Sequence, residues 1–254
     1  MSTRPMSLIA PIADRLRRFA SRLRSNTRGV AMIEAAFTVP TLLFTSFAGL
    51  EMANMMIVHT KVSAIALSAA DNASRIASGS NLSQPQVREV DVNDVFTGAQ
   101  IQSGLLDLNT NGRIILSSLE TNVQGGQWIH WQRCYGNMPI SSAYGNQGTG
   151  ASSTSFAGMG DTGSEVKAVP GNAVMFVEVS YTYQPFLLGS ILSGTNVIEY
   201  EAAFAVRDAR DTTNIFNPAP AAVVRTCPGG TRRKRREERR AIPHTWNFGQ
   251  GWLN

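Results

Sequence analysis

The stretch Arg28 to Pro40, RGVAMIEAAFTVP, sets the reading of the whole chain. A basic segment ends at Gly29. Four uncharged residues follow, then a lone carboxylate at Glu34, and then an apolar run. Ala35 to Leu50 carries no charge, and Met52 to Thr60 carries none either; only Glu51 interrupts them. A membrane-spanning helix needs about 20 mostly apolar residues. Residues 35–58 meet that length if Glu51 lies near the far interface. A cleaved secretory signal has a shorter apolar core, about 7–15 residues, followed by a small-x-small site. The run here is longer, although LSAADNASR after it keeps a cleaved signal open as an alternative.

Charge gives the orientation. Residues 1–28 hold seven arginines against Asp14, a net +6, whereas only Lys61 and Arg75 are basic in the twenty residues or so after the span. The positive-inside rule places residues 1–29 in the cytoplasm and the rest, after about Thr60, outside. A second basic block, 231–240, holds seven bases against Glu237 and Glu238, a net +5. Subtracting both from the total of +5 leaves −6 for the rest of the chain. The pI of 9.6 therefore reports two basic ends, not a basic fold, which argues against nucleic acid as a partner. A mean hydropathy of −0.09 excludes a polytopic membrane protein and suits one anchor plus a folded domain.

Pro40 falls inside the apolar run, where a membrane helix tolerates it. Beyond Thr60, residues Val62, Ile65, Ala66, Ala69, Ala73 and Ile76 recur at steps of three and four, the spacing of one helix face. The expectation is one long helix over 30–77, its first half in lipid and its second half against a folded domain. Residues 10–24 place Ile12, Leu16, Phe19 and Leu23 on one face of a basic amphipathic segment. It reads as a positive-inside flank or as a helix lying on anionic lipid.

The combination of a basic leader, Gly29, Glu34 five residues later and a long apolar helix resembles the processing site of type IV prepilins and pseudopilins. That resemblance implies cleavage after Gly29 by a membrane-embedded prepilin peptidase, leaving Val30 as the new N-terminus. It also implies that Glu34 sets helix register by pairing with a neighbouring subunit's amine, which offsets the burial of both charges. Over about fifty residues the pattern Gly29, Glu34, Pro40, Leu42–Leu43, Gly49 and Glu51 is similar to the TadE-like family of pilus assembly proteins. AVMFVEVSYTYQPFL (173–187) and FAVR near Arg207 resemble that family's outer domain. No D-x-S-x-S metal motif is present, which fits TadE or TadF better than TadG. The partners implied are the prepilin peptidase, the inner-membrane assembly platform, other pseudopilins, the major Flp pilin and the lipid bilayer. A secretion ATPase would act only indirectly.

The rest predicts a small α+β domain over 78–210. Ser83 and Pro85 read as a helix start, with Val87, Val90, Val95 and Phe96 facing a core to about residue 97. RIILSSLE (113–120) and QWIHWQRC (127–134) read as a hairpin around TNVQGG, with Trp128 and His130 on one face and Ile129 and Trp131 on the other. Residues 136–172, rich in Gly, Ser, Asn and Thr, read as a long mobile loop. AVMFVEVSYTY (173–183) and NVIEYEAAFAVR (196–207) read as antiparallel strands. Residues 211–254 read as a Pro-rich strap and a basic tail. The tail is either solvated or in contact with an acidic surface. The terminal HTWNFGQGWLN is a candidate docking segment.

Cys134 and Cys227 are the two cysteines; outside the cytoplasm they permit one disulfide, and otherwise stay two thiols. His59, His130 and His244 lack a neighbour at metal-ligand spacing, and there is no P-loop or G-x-S-x-G. GMGDTGSEV (158–166) reads as loop chemistry. The expectation is a structural protein, not an enzyme, with no cofactor and no metal. A membrane-anchored binding module that is never cleaved is the alternative. A third reading, an envelope hydrolase, needs a catalytic constellation that the sequence does not display; loss of an activity on replacing His130 or Asp161 would revive it.

Overall fold

The computed structural model describes residues 15, 17–22, 28–76, 85–186, 197–207, 210–228 and 231–232. Expectations for Ile12, Leu16, Leu23, Ser83, His244 and the tail from Arg233 onward lie outside them. Helix α1 runs unbroken from Arg28 to Arg75, so it begins within the expected leader and stops short of residue 77. The chain divides into two compact units, and α1 passes from one to the other after Asn54.

The first unit takes in α1 up to Asn54 together with the segment from Phe186. Its helix is apolar on every side, and its large side chains are exposed: Phe37, Leu42, Leu43, Phe44, Phe47 and Leu50 among them. Hydroxyls along it are satisfied locally. Thr38, Thr41 and Thr45 donate to the carbonyls of Glu34, Phe37 and Thr41, at 2.9, 2.7 and 2.9 Å. Such back-bonding gives these three hydroxyls a partner without water. Pro40 lies within the helix and supplies no N–H.

The second unit is α+β. Its central sheet comprises β2 (Gly112–Thr121), β3 (Gln127–Tyr135), β5 (Val174–Thr182) and β6 (Val197–Ala205), in the order β3-β2-β5-β6 and antiparallel throughout. Residues of alternate parity go to opposite faces. One face presents Ile114, Leu116, Met175, Val177, Val179 and Ile198 to a core shared with the second half of α1 and with α2 (Glu89–Ser103). All six residues of the expected α1 face are buried there; Val62, Ile65 and Ala73 have no exposed surface. Small residues at Ala66, Ala69, Ala70 and Ala73 let helix and sheet approach closely. His59 Nδ1 lies 3.2 Å from the Tyr200 hydroxyl. At the helix end the Arg210 guanidinium donates to the carbonyls of Ala73 and Ser74, acceptors that lack intrahelical partners.

The other sheet face carries Leu119, Ile129, Val174 and Phe176 under Met159 and Ala168 of the segment 136–172. Apart from the two-residue strand at Ile140–Ser141, that segment is irregular, and it is fastened by amide side chains. Asn122 accepts from the N–H groups of Gln124 and Gly126, both at 2.9 Å, and donates to the carbonyls of Gly150 and Ser153, both at 2.8 Å. Gln127 exchanges two hydrogen bonds with Ala168, at 2.9 and 2.7 Å. Gly150 has φ +84°, and a Cβ there would stand 2.2 Å from the Gln127 carbonyl, so only glycine serves.

Three expectations need correction. Ile129 and Trp131 do not share a face. A β-bulge leaves His130 unpaired between Ser118↔Trp131 and Leu119↔Ile129, so Trp131 joins the helix-side core and Ile129 the loop-side core. The segment after Pro85 begins as a strand, β1 (Gln86–Arg88), before α2. Asp91 accepts from the Arg88 backbone N–H at 3.3 Å and pairs with its guanidinium at 2.7 Å, which starts the helix at Glu89. The inward face is thus set by Val92, Val95, Phe96 and Ala99, and Val90 points outward, 41% exposed. Finally, residues 211–216 and 231–232 pair with strands earlier in the chain. β7 (Asp211–Phe216) runs parallel to β1, and β8 (Thr231–Arg232) parallel to β4 (Ile140–Ser141). A short helix, α3 (Leu108–Asn111), leads into β2, its first turn capped by Asp107.

Candidate functional site

The residues singled out from the sequence fall at three places. At the start of α1, Gly29 and Val30 are exposed, and a Cβ added at Gly29 would meet nothing within 4 Å. Glu34 is exposed one turn further on. The Gly29–Val30 bond lies in the first helical turn, where backbone N–H groups have no intrahelical acceptor and unwinding is cheap. The arrangement offers a small residue, an accessible peptide bond and a nearby carboxylate.

Glu51 is in a different setting. It is 3% exposed, while its neighbours Leu50 and Met52 are 60% and 66% exposed. Both carboxylate oxygens face the Phe186 backbone N–H at 3.2 Å. Seventeen residues of helix put Glu51 about 25 Å from Glu34, so the two carboxylates act separately.

In the second unit Cys134 and Cys227 are joined as a disulfide across 93 positions. The bond is one of several ties on the strap. Arg225 accepts at its carbonyl from the Cys134 N–H at 2.9 Å, and its guanidinium donates to Asn93 at 3.0 Å and lies over the Tyr135 ring. Asn93 also donates to the Val223 carbonyl at 2.9 Å. Burial pushes the Tyr135 phenol up, and Arg225 opposes that shift. Next to this strap Arg133 forms a buried, forked ion pair with Glu89 at the start of α2, with two of its bonds at 3.0 Å. One fork joins β3 to α2.

His130 Nδ1 lies 3.0 Å from Glu120, its ring stacks on Trp128 at 4.3 Å, and the Ser118 hydroxyl donates to the other Glu120 oxygen at 2.7 Å. The serine proton is directed at the carboxylate, not at the imidazole, so this trio is not a nucleophile–base pair. Asp161 sits in an exposed turn whose backbone carbonyl accepts from Ser164. Among the described residues no group of three or more His, Cys, Asp or Glu is placed to hold a metal.

One feature escaped the sequence reading. Glu178, Glu199 and Glu201 line a small cleft with Ser141 and Ala143 on the loop side of the sheet. Glu178 accepts from the Ala143 N–H at 2.9 Å and Glu201 from the Tyr144 hydroxyl at 2.7 Å. Their positions, i and i+2 on β6 and opposite them on β5, follow from strand alternation once the register Glu178↔Glu201 is known. Compared with known proteins, the chain matches no family model, no curated protein and no solved structure.

Proposed function

We propose that this chain is a minor pseudopilin-like structural protein for the assembly of tight-adherence (Flp-type IV) pili. In this reading it is a single-pass protein of the bacterial inner membrane, with its N-terminus cytoplasmic and its folded unit outside. The observation that carries the proposal is the division of one continuous helix. The first half is apolar all round, exposed, and by length and composition able to cross a bilayer. The second half is the packed face of an antiparallel α+β unit. A subunit that inserts by the first half and displays a folded unit from the second has the parts that filament assembly needs. Gly29 and Val30 are then the processing site, and Glu34 pairs with a neighbour's new amine.

The partners follow from that role: prepilin peptidase, the assembly platform, other pseudopilins and the major pilin. The chain acts by packing and insertion, and no step of catalysis is assigned to it. The helical state of the Gly29–Val30 bond favours a second reading, a permanent anchor whose outer unit binds an envelope component. The test is intact mass and N-terminal sequence of membrane-extracted protein from cells with and without prepilin peptidase. A start at Val30 that requires the peptidase upholds the pseudopilin. A retained leader in both strains leaves the permanent anchor.

A further inference from the structure

We propose that Glu51 is a depth-setting clasp, and that Phe186, which it holds, is a second lipid contact beside the helix. This rests on the membrane-anchor reading and adds to it. Glu51 lies near the end of the exposed apolar stretch of α1, which continues through Met52, Met56 and Ile57 and gives way to buried Val58. Phe47 and Leu50 just before it are 44% and 60% exposed. A carboxylate in such a place would ordinarily turn to water. Here it is buried and accepts from the Phe186 N–H.

That bond solves a specific problem. Phe186 lies just after the Gln184–Pro185 exit from β5, in irregular backbone. Irregular backbone enters the hydrocarbon edge only where its N–H groups are satisfied by protein, because no water is there to accept. Glu51 supplies that acceptor. The Phe186 side chain then stands 79% exposed, with its backbone hydrogen-bonded at the level of residue 51 of the helix. Phe186 and α1 up to Asn54 belong to the same compact unit. The exposed ring therefore continues the surface formed by Phe47 and Leu50, and the occupant it fits is the bilayer's interfacial layer. Phenylalanine is among the side chains that surface-lying segments bury at the boundary between headgroups and acyl chains. A carboxyl group at that level sits near the interface, where the cost of a charge is far below that at the bilayer centre.

The experiment is site-directed spin labelling of the full-length protein in phosphatidylcholine–phosphatidylglycerol vesicles. Relaxation by oxygen is compared with relaxation by a water-soluble nickel chelate. Labels go on Phe186→Cys, on Phe47→Cys as the helix reference, and on Leu105→Cys, a 99% exposed residue of the folded unit. The native cysteines are bonded to each other and do not react. The label at 186 is expected to prefer oxygen, as at 47, and the label at 105 to prefer nickel. A nickel preference at 186 with an oxygen preference at 47 overturns the lipid contact and leaves the anchor intact. A nickel preference at 47 overturns the anchor reading and this inference with it. In the Phe186→Cys background, Glu51→Leu is expected to shift the label toward nickel, while Glu51→Gln, which still accepts, retains the oxygen preference. An unchanged label in Glu51→Leu overturns the positioning role of Glu51.

Discussion

The two halves of α1 are chemically different solutions to being a helix. Before Asn54 the large side chains, Phe37, Phe44 and Leu50 among them, are exposed, and nothing among the described residues covers them. After it the buried positions are Val58, Val62, Ile65 and a run of alanines, packed against a sheet. Bulk suits a fluid apolar solvent, which adapts to any shape. Small residues suit a fixed partner, where each extra methylene displaces a neighbour. The same helical backbone thus serves an all-round apolar segment and a narrow amphipathic stripe, and only side-chain size and spacing tell them apart.

The sharpest way to break this comparison is to place a charge in each half. Ala70 is fully buried, and Ala70→Arg puts an uncompensated charge in the core. The expected loss is at least about 3–5 kcal/mol, a large part of the stability of a domain this size. Phe44→Arg is expected to leave the folded unit's urea midpoint in detergent unchanged, but to weaken insertion by about 2.5–3.5 kcal/mol, read as release from membranes on carbonate washing. If Phe44→Arg lowers the urea midpoint as Ala70→Arg does, the halves are not distinct.

Truncation sharpens the same contrast. Ile65→Ala removes a fully buried side chain and is expected to cost about 2–5 kcal/mol. Phe44→Ala removes a larger side chain that touches no core and is expected to stay within about 0.5 kcal/mol, by urea denaturation of the folded unit. A third, smaller effect separates packed from covalent attachment. Replacing both Cys134 and Cys227 with serine is expected to cost about 2–4 kcal/mol, because their bond closes a long loop in the unfolded chain. The wild-type thiols are expected to resist alkylation until reduced. Free labelling of native protein would remove the bond from the account.

Much of this was legible from local pattern. Period three-and-four spacing marks the second half of α1, and the β-branched runs mark β2, β5 and β6. The bulge at His130 was not legible, since alternation in QWIHWQRC gives no sign that one residue is left unpaired and the faces exchange. The turn from β1 into α2 depends on Asp91 reaching back to Arg88, whereas Ser83 and Pro85 carried the stronger conventional signal. The parallel pairings β1–β7 and β4–β8 join segments about 90 to 125 positions apart, and no local sequence feature encodes a partner at that distance. For the site, the Gly29 and Glu34 spacing was readable, but the burial of Glu51 was not, because its donor lies 135 positions away at Phe186.

The smallest expected effect is an acid dependence that belongs to the folded unit alone. Thr110 hydrogen bonds, from its hydroxyl and then its backbone N–H, hold the Asp107 carboxyl below the usual range; Thr213 does the same for Asp211. Both carboxylates are lower in the folded than in the unfolded chain, whose value is about 3.9. Their contribution is therefore fully present above about pH 4. As the pH falls through that value the unfolded chain takes up protons first, so the contribution shrinks and is gone once the folded carboxyls also protonate. Asp107 is exposed and Asp211 half-buried at the surface, which keeps the effect small. Asn at 107 and 211 still accepts a hydrogen bond but cannot titrate. The Asp107→Asn, Asp211→Asn double variant is expected to show a shallower fall in urea midpoint below about pH 4 than the wild type. Glu34→Gln, in the exposed half of α1, is the comparison and is expected to change nothing in that profile. A Glu34→Gln profile as shallow as that of the double variant would mean that the first half of the helix does share in the folding of the rest.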